Sequence, residues 1–325
     1  MKIGETNIKH GVFLAPMAGY TDRAMRLVCH QLGSEYSVTE MVSAKAVTFG
    51  DKKTFSLAKI SSDEGPVAIQ IFGSEPEIMG EAARILSERE ECKLARAIDI
   101  NMGCPVKKIF SNGEGSALMR DPTLIEKITS AVKRATHLPV TVKIRAGINE
   151  NSINAVDCAL AAEAGGADAL CIHGRTTKQM YGGKADRKII EKVKLALQIP
   201  LIANGDITNA AEALAVFCDT GADGIAIGRG AVGNPFIFSE IIAALENRAY
   251  TPPTLAERVD TALRQLSIAA EDKGERVAVV EARGQIALYL KGFSGAARIR
   301  GEINRATTYE EVKSSLRSAL TDGEN

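Results

Sequence analysis

At 325 residues the chain is long enough for one large domain or a barrel with an appendage, and its 40 basic and 40 acidic residues cancel at pH 7, so binding a nucleic acid requires a local basic face instead of a global field. The opening Met1-Lys2-Ile3-Gly4-Glu5 is no secretory signal and no apolar run is long enough to span a bilayer, which excludes membrane classes from the expectation. Cys29, Cys92, Cys104, Cys158, Cys171 and Cys218 are spaced as neither a metal pair nor a disulfide ladder, a pattern that fits a reducing cytoplasm, and the absence of Trp argues against a stacking platform for single strands.

Along the chain, short apolar runs alternate with amphipathic helical segments. The runs are 12–15, 36–39, 67–72, 97–101, 140–145, 169–173, 201–204 and 224–228. Each is apolar at nearly every position, as parallel strands buried on both faces are. Eight strand–helix units predict an α/β fold, a (β/α)8 TIM barrel. An internal echo supports closure over a doubly wound open sheet: Leu138-Pro139-Val140 resembles Ile199-Pro200-Leu201, and Gly166-Ala167-Asp168 resembles Gly221-Ala222-Asp223. The pattern stops near Phe238. A helix is expected over 239–247, a two-proline linker over 250–254, and amphipathic helices from Leu255. The predicted division is thus a barrel over 1–245 and a smaller C-terminal helical domain over 250–325, with disorder only in the last few residues.

In such a barrel the C-terminal strand tips face the active site. Those tips read Pro16-Met17-Ala18, Glu40-Met41, Gln70, Asn101 with Cys104, Lys143, His173 with Arg175, Asn204-Gly205-Asp206 and Gly228-Arg229. One polar tip is an ordinary rim group, but eight together point to chemistry. Lys143 ends an apolar strand, either as a snorkelling lysine or as a fixed cation beside a group that becomes negative, such as the N1–C2=O edge of a reduced flavin. Gln70 can donate and accept, which suits a pyrimidine-like ring edge. Residues 228–233 spell G-x-G-x-x-G, yet they follow the last strand, so the dinucleotide reading fails. The glycines fit instead the phosphate site formed after strands seven and eight, with Asn204-Gly205-Asp206 as the other loop, hence a mononucleotide cofactor. Cys158 and Cys171 read as small buried hydrophobes. Cys104, outside regular packing between Gly103 and Pro105, is mostly thiol at neutral pH and suits a general acid.

Together these motifs resemble the dihydrouridine synthases, flavin enzymes that reduce uridine in RNA. The resemblance is carried by Ala15-Pro16-Met17-Ala18-Gly19-Tyr20-Thr21-Asp22, Val67-Ala68-Ile69-Gln70-Ile71-Phe72-Gly73, Asp99-Ile100-Asn101-Met102-Gly103-Cys104-Pro105, Val142-Lys143-Ile144-Arg145, Ile172-His173-Gly174-Arg175-Thr176, Ala203-Asn204-Gly205-Asp206-Ile207 and Ile227-Gly228-Arg229-Gly230. It runs from about residue 10 to 305 and is nearest the bacterial B-type branch. It implies FMN, with NADPH as electron donor. Pro16, Met17 and Ala18 would back the ring and Gln70 its edge. Lys143 and His173 would contact the flavin, and Asn204, Gly205, Asp206, Gly228 and Arg229 would hold the ribityl phosphate. Asn101 would orient the uracil, Cys104 would protonate it, and Arg175 would sit in an RNA-facing loop.

The resemblance further implies an RNA substrate, with tRNA favoured over ribosomal RNA; a monomer without a metal is expected. Between residues 283 and 305 basic residues predominate, and Lys291, Arg298 and Arg305 fall seven apart, so a continuous helix would present them on one face. Lys291, Arg298 and Arg300 are therefore the expected RNA contacts in the helical domain. Two positions depart from the family pattern: Arg187 stands where tryptophan is usual, and Arg283-Gly284-Gln285 replaces a basic cluster, which puts one RNA contact in doubt. A small-molecule FMN dehydrogenase of dihydroorotate type shares the phosphate loops but has no use for the basic helical tail. A phosphate-sugar isomerase on this fold would lack flavin absorbance, and a non-catalytic RNA-binding module leaves Cys104 and Lys143 without a role.

Overall fold

Closing a parallel sheet sets two demands on sequence: apolar residues facing the helices, and alternate residues that fit a narrow interior. The computed structural model, which describes residues 1–322, meets both. Eight parallel strands form the barrel: β1 (Val12–Leu14), β2 (Tyr36–Val38), β3 (Val67–Phe72), β4 (Ala95–Asn101), β5 (Val140–Arg145), β6 (Ala169–His173), β7 (Leu201–Asn204) and β8 (Gly224–Ile227). Each pairs with the next, and β8 returns to β1 with Ile225 opposite Val12. The TIM barrel expected from the sequence is the observed fold. The expectation for the last few residues lies outside the described residues.

The helices between strands are α1 (Arg23–Gln31), two short turns at Ala44–Thr48 and Lys52–Ala58, α2 (Pro76–Glu88), α3 (Pro122–Ala135), α4 (Ala155–Ala164), α5 (Arg187–Ala196), α6 (Ala210–Thr220) and α7 (Ile237–Leu245). Their starts are written locally: Asp121 accepts from Leu124 N–H and Pro122 occupies the first turn of α3, where its missing N–H costs nothing.

Side-chain parity sorts the barrel. Val67, Ile69 and Ile71 of β3 join the layer under the helices, while Ala68 and Gln70 point inward. The lower interior is filled by Phe13, Tyr36, Ala68, Ala97, Ala169, Ile202 and Ala226, with Ile3 and Ile8 of the N-terminal hairpin packed against them. Above that dry floor the inward positions become Gln70, Asp99, Asn101, Thr141, Lys143, His173 and Asn204. The polar tier therefore opens at the C-terminal ends of the strands.

After the proline-containing segment come α8 (Leu255–Lys273), opened by a Thr254–Glu257 capping box, then α9 (Glu275–Ala282), α10 (Ala296–Arg305) and α11 (Tyr309–Asp322). Leu266, Val279, Ile299, Ile303, Val312 and Leu316 share a second core with Leu27 and Val28 of α1. Among the described residues no helix is long and apolar enough to cross a membrane. One expectation is corrected here. Gly292 (φ +92°) and Gly295 (φ +74°) take left-handed backbone between a short turn at Ile286–Leu290 and α10, so the helix is broken and Lys291 does not share a face with Arg298 and Arg305.

Candidate functional site

The tip of β4 is organised by a chain of side chains that share the inward parity. Thr141 of β5 donates its hydroxyl to Asp99 Oδ1, and Gln70 Nε2 donates to Asp99 Oδ2 at 2.7 Å. Asn101 Nδ2 donates to Gln70 Oε1 at 2.9 Å, while Asn101 Oδ1 accepts the N–H groups of Gly103 (3.2 Å) and Cys104 (2.9 Å). Asn101 thus shapes the turn that carries the cysteine, and one amide hydrogen is left to face a ligand. The turn is held from two more sides: Ser116 donates from both N–H and Oγ to the Cys104 carbonyl (3.1 and 2.8 Å), and Arg145 Nε donates to that of Gly103 at 2.9 Å. Burial pushes the Cys104 thiol up, outweighing the Val106 N–H and the cations Arg145 and Lys143, so the group carries its proton at neutral pH. A fixed, protonated thiol is equipped to give a proton.

Lys143 is the register partner of Asn101 on β5. Its Nζ donates to Asn204 Oδ1 at 3.2 Å, Asn204 Nδ2 in turn donates to the Ala226 carbonyl at 2.7 Å, and Lys143 has no carboxylate partner among the described residues. A cation so placed is available to an anionic group above it. His173 on β6 is buried among Lys143, Arg145, Arg175 and Arg229, and burial with those charges brings it down to about 2. The imidazole is thus neutral at neutral pH and can donate from one ring nitrogen and accept at the other.

The loops after β7 and β8 make an anion cradle. The N–H groups of Gly205, Asp206, Arg229 and Gly230 take no protein partner among the described residues. Gly205 has φ +129° and its Cβ would lie 2.6 Å from Ala185; at Gly230 it would lie 2.2 Å from the Ile207 carbonyl oxygen. Gly228 differs: a Cβ there meets only Met17 Sδ at 3.5 Å and Ala15 at 3.9 Å, so the protein leaves that space open at the mouth. Two neighbouring expectations change. The Asp206 carboxylate accepts from Ala185 N–H and from Arg175 Nη2, both at 2.8 Å; although burial opposes ionisation, these hold it below the usual carboxylate range, so only its main chain suits a phosphate. Arg175 is 2 % exposed and donates to the Gly182 (2.9 Å) and Gly183 (2.7 Å) carbonyls as well as to Asp206. The RNA-facing Arg175 of the sequence reading is corrected to a buried brace that ties the 176–185 loop to the cradle. Arg229, by contrast, is exposed, with its guanidinium 4.8 Å from the Tyr181 ring centroid.

Pro16, Met17 and Ala18 follow β1, the neighbour of β8, and form the wall next to that cradle. Thr21 Oγ1 accepts from Met17 N–H at 3.0 Å, and Met17 O accepts from the N–H groups of Tyr20 and Thr21. Glu40, whose role the sequence left open, accepts the Gly19 N–H; burial raises its carboxyl. Asp99, Arg145 and Ser116 were not singled out beforehand. Asp99 and Arg145 share the inward parity of Asn101 and Lys143, the one signal that marked them.

The family model described as dihydrouridine synthase (Dus) matches residues 13–324. The tRNA-dihydrouridine synthase B of Xanthomonas campestris pv. campestris is 42% identical over 311 residues, 95% of this chain and 92% of its own length. That of Pseudomonas aeruginosa is 37% identical, over 100% of this chain and 97% of its own. A probable tRNA-dihydrouridine synthase of Rickettsia conorii is 38% identical over 99% and 96%. Among solved structures, the 6-hydroxypseudooxynicotine amine oxidase of Pseudomonas geniculata N1 superposes with a TM-score of 0.58 at 12% identity, over 76% of this chain and 49% of that one. The histamine dehydrogenase of Rhizobium sp. 4-9 gives 0.55 at 12% identity, over 87% and 50%. This chain spans about half the length of those two, and the likeness is one of fold. With the family model covering nearly the whole chain and full-length relatives near 40% identity, the chain belongs to the dihydrouridine synthase family.

Proposed function

We propose that this protein reduces the C5=C6 bond of specific uridines in tRNA to 5,6-dihydrouridine, with FMN as its cofactor and NADPH as the electron source. The observation that carries the reading is the meeting, at one barrel mouth, of a protonated loop-fixed thiol, a lysine without a carboxylate partner, and a glycine-lined anion cradle. The tRNA substrate follows from family membership and from the names of the relatives.

The residues fit FMN. The open position at Gly228 and the unpartnered N–H groups of Gly205, Asp206, Arg229 and Gly230 suit its phosphate, with Arg229 as an exposed cation beside them. Asn204, Lys143 and His173 line the route inward; Pro16, Met17 and Ala18 form the wall behind the ring, and Gln70 offers its edge. FMN held there would, once reduced by NADPH, supply the hydride equivalent needed at C6 of the uracil. The chain supplies the rest. The target base leaves its stack to enter the mouth, and the remaining Asn101 amide hydrogen reads its polar edge. The Cys104 S–H bond breaks as a C5–H bond forms, and Arg145 and Lys143 stabilise the thiolate left behind. The helices after residue 250 make the RNA-binding domain, with exposed Lys291, Arg298 and Arg300 as phosphate contacts; Arg298 also pairs with Glu302.

The test is direct. Purified protein should be yellow, release FMN on denaturation, and convert uridine in unmodified tRNA when given NADPH, with ribosomal RNA as the comparison substrate. A colourless protein that cannot be loaded with FMN, or a loaded one inert on tRNA, overturns the reading.

A further inference from the structure

A buried amide chain runs from the C-terminal helices into the loop that carries Pro16–Ala18. Gln285 Nε2 donates to the Gly19 carbonyl at 3.1 Å, Gln265 Nε2 donates to Gln285 Oε1 at 2.8 Å, and the Tyr289 hydroxyl donates to Gln265 Oε1 at 2.6 Å. These side chains are 5 %, 6 % and 1 % exposed. The polarity of the chain has one solution. A carbonyl can only accept, so Gln285 must turn its nitrogen to Gly19; its oxygen then faces Gln265, which must donate, and Tyr289 must donate to the oxygen that remains.

The residue at the end of this chain is held from both sides. Gly19 takes left-handed backbone at φ +78°, its N–H is taken by Glu40 from the barrel, and its C=O by Gln285 from the helices. No side chain crowds the glycine, since a Cβ there would meet nothing within 4 Å. Two hydrogen bonds from opposite partners, one to each of the peptide units that flank the Gly19 Cα, fix the turn in place of packing. Ion pairs flank the contact, Lys273 to Asp22 at 2.7 Å and Arg23 to Asp272 at 3.1 Å, but they are partly exposed and less specific in geometry.

We propose that Gln285 is a positioning residue: through Gly19 the C-terminal helices set the wall against which the flavin ring lies. The proposal rests on the FMN reading. It also gives the triplet Arg283-Gly284-Gln285 a purpose other than a weakened RNA contact, because Gln285 faces the barrel and Arg283 donates to the Ala306 carbonyl at 2.7 Å.

The experiment compares the full-length protein with Gln285→Leu, Gln285→Asn and Gln285→His, measuring FMN affinity by flavin fluorescence, the visible circular dichroism of bound FMN, and tRNA affinity at fixed salt. Leu removes the donor, and Asn keeps a buried amide but ends one methylene short, so it tests the same loss if the Leu protein does not fold. Both should weaken FMN roughly threefold to tenfold, as loss of one buried hydrogen bond does, and alter the dichroism, with tRNA affinity unchanged. His can still donate to Gly19 and should restore both flavin signals. If Leu and Asn bind FMN like the parent with the same spectrum, or if only tRNA affinity falls, the proposal is overturned while the FMN reading stands. A parent protein that takes up no FMN fails the functional reading, and the proposal with it.

Discussion

Replacing Asp99 with Asn should stabilise the protein, and do so only where Asp99 is charged. The carboxylate lies wholly inside the barrel, and burial raises it to about 6, against the hydrogen bonds of Thr141 and Gln70 and the charge of Lys143. The sign follows from proton binding. Between the ordinary value of 3.8 and about 6 the folded protein holds a proton that the unfolded chain has released, so stability falls as pH rises through that window and is level above it. A shift of about two units corresponds to ~3 kcal/mol. Roughly half of this, ~1.5 kcal/mol, accrues between pH 5 and pH 7.5. Asparagine can keep the network: its oxygen accepts from Gln70 Nε2, and its amide donates to Thr141 Oγ1, which needs only to rotate its hydroxyl. Urea unfolding of both proteins at pH 5 and pH 7.5 measures the double difference, in which pH effects common to both cancel. The variant should gain ~1.5 kcal/mol on the parent between the two conditions. A gap between the two proteins that does not change with pH would refute the reasoning.

Four further outcomes are expected. Cys104→Ala should retain bound FMN and NADPH oxidation but lose about 10²–10⁴-fold in tRNA reduction, measured in single turnover; full turnover would remove Cys104 as the acid. Gly228→Ala places a Cβ that makes only ordinary contacts within the protein, with Met17 Sδ and Ala15, yet should weaken FMN roughly fivefold to a hundredfold by overpacking the cradle at about 1–3 kcal/mol, read by fluorescence titration. Arg175→Met removes the hydrogen bonds to Gly182, Gly183 and Asp206 and the 3.4 Å contact with His173 Nε2; at about 1 kcal/mol for each of the first three it should lower Tm by roughly 4–5 °C in a chain of this length with tRNA affinity unchanged, whereas an unchanged Tm with weaker binding would return Arg175 to the RNA surface. Arg298 and Arg300 replaced together by Gln should flatten the slope of log affinity against log salt by about one to two, nearer one because Arg298 is shared with Glu302, and leave flavin reduction by NADPH as it was.

The barrel was legible because strands buried on both faces leave little freedom: the apolar runs at 67–72 and 140–145 coincide with β3 and β5 to the residue. The strand tips were legible for the same reason, since period two fixes which residues look into the mouth, and Asn101, Lys143, His173 and Asn204 do share it. Loops obey no such period. Nothing local to Arg175 says that the carbonyls of Gly182 and Gly183 will curl back to meet it, or that Asp206 will be spent on that arginine. The break at Gly292 and Gly295 was signalled by composition alone, and the seven-residue spacing of Lys291 and Arg298 pointed the other way. Gln285 was hidden most deeply, because its partner lies 266 positions earlier in the chain.

The dry floor of the barrel also shapes the field outside it. Beneath the polar tier lie Phe13, Ala97, Ala169, Ile202 and Ala226, an uncharged slab of low polarisability. Lys143, Arg145, Arg175 and Arg229 all act on the space around His173, and Asp99 and Asp206 temper them there. Field lines that cannot spread through the slab leave through the mouth, so the barrel axis becomes a funnel for anions. Neutrality is a sum over the whole surface and does not describe that axis. A chain with 40 charges of each sign can therefore drift hardly at all in electrophoresis near pH 7 while its rate of encounter with a polyanion still falls steeply as salt is added.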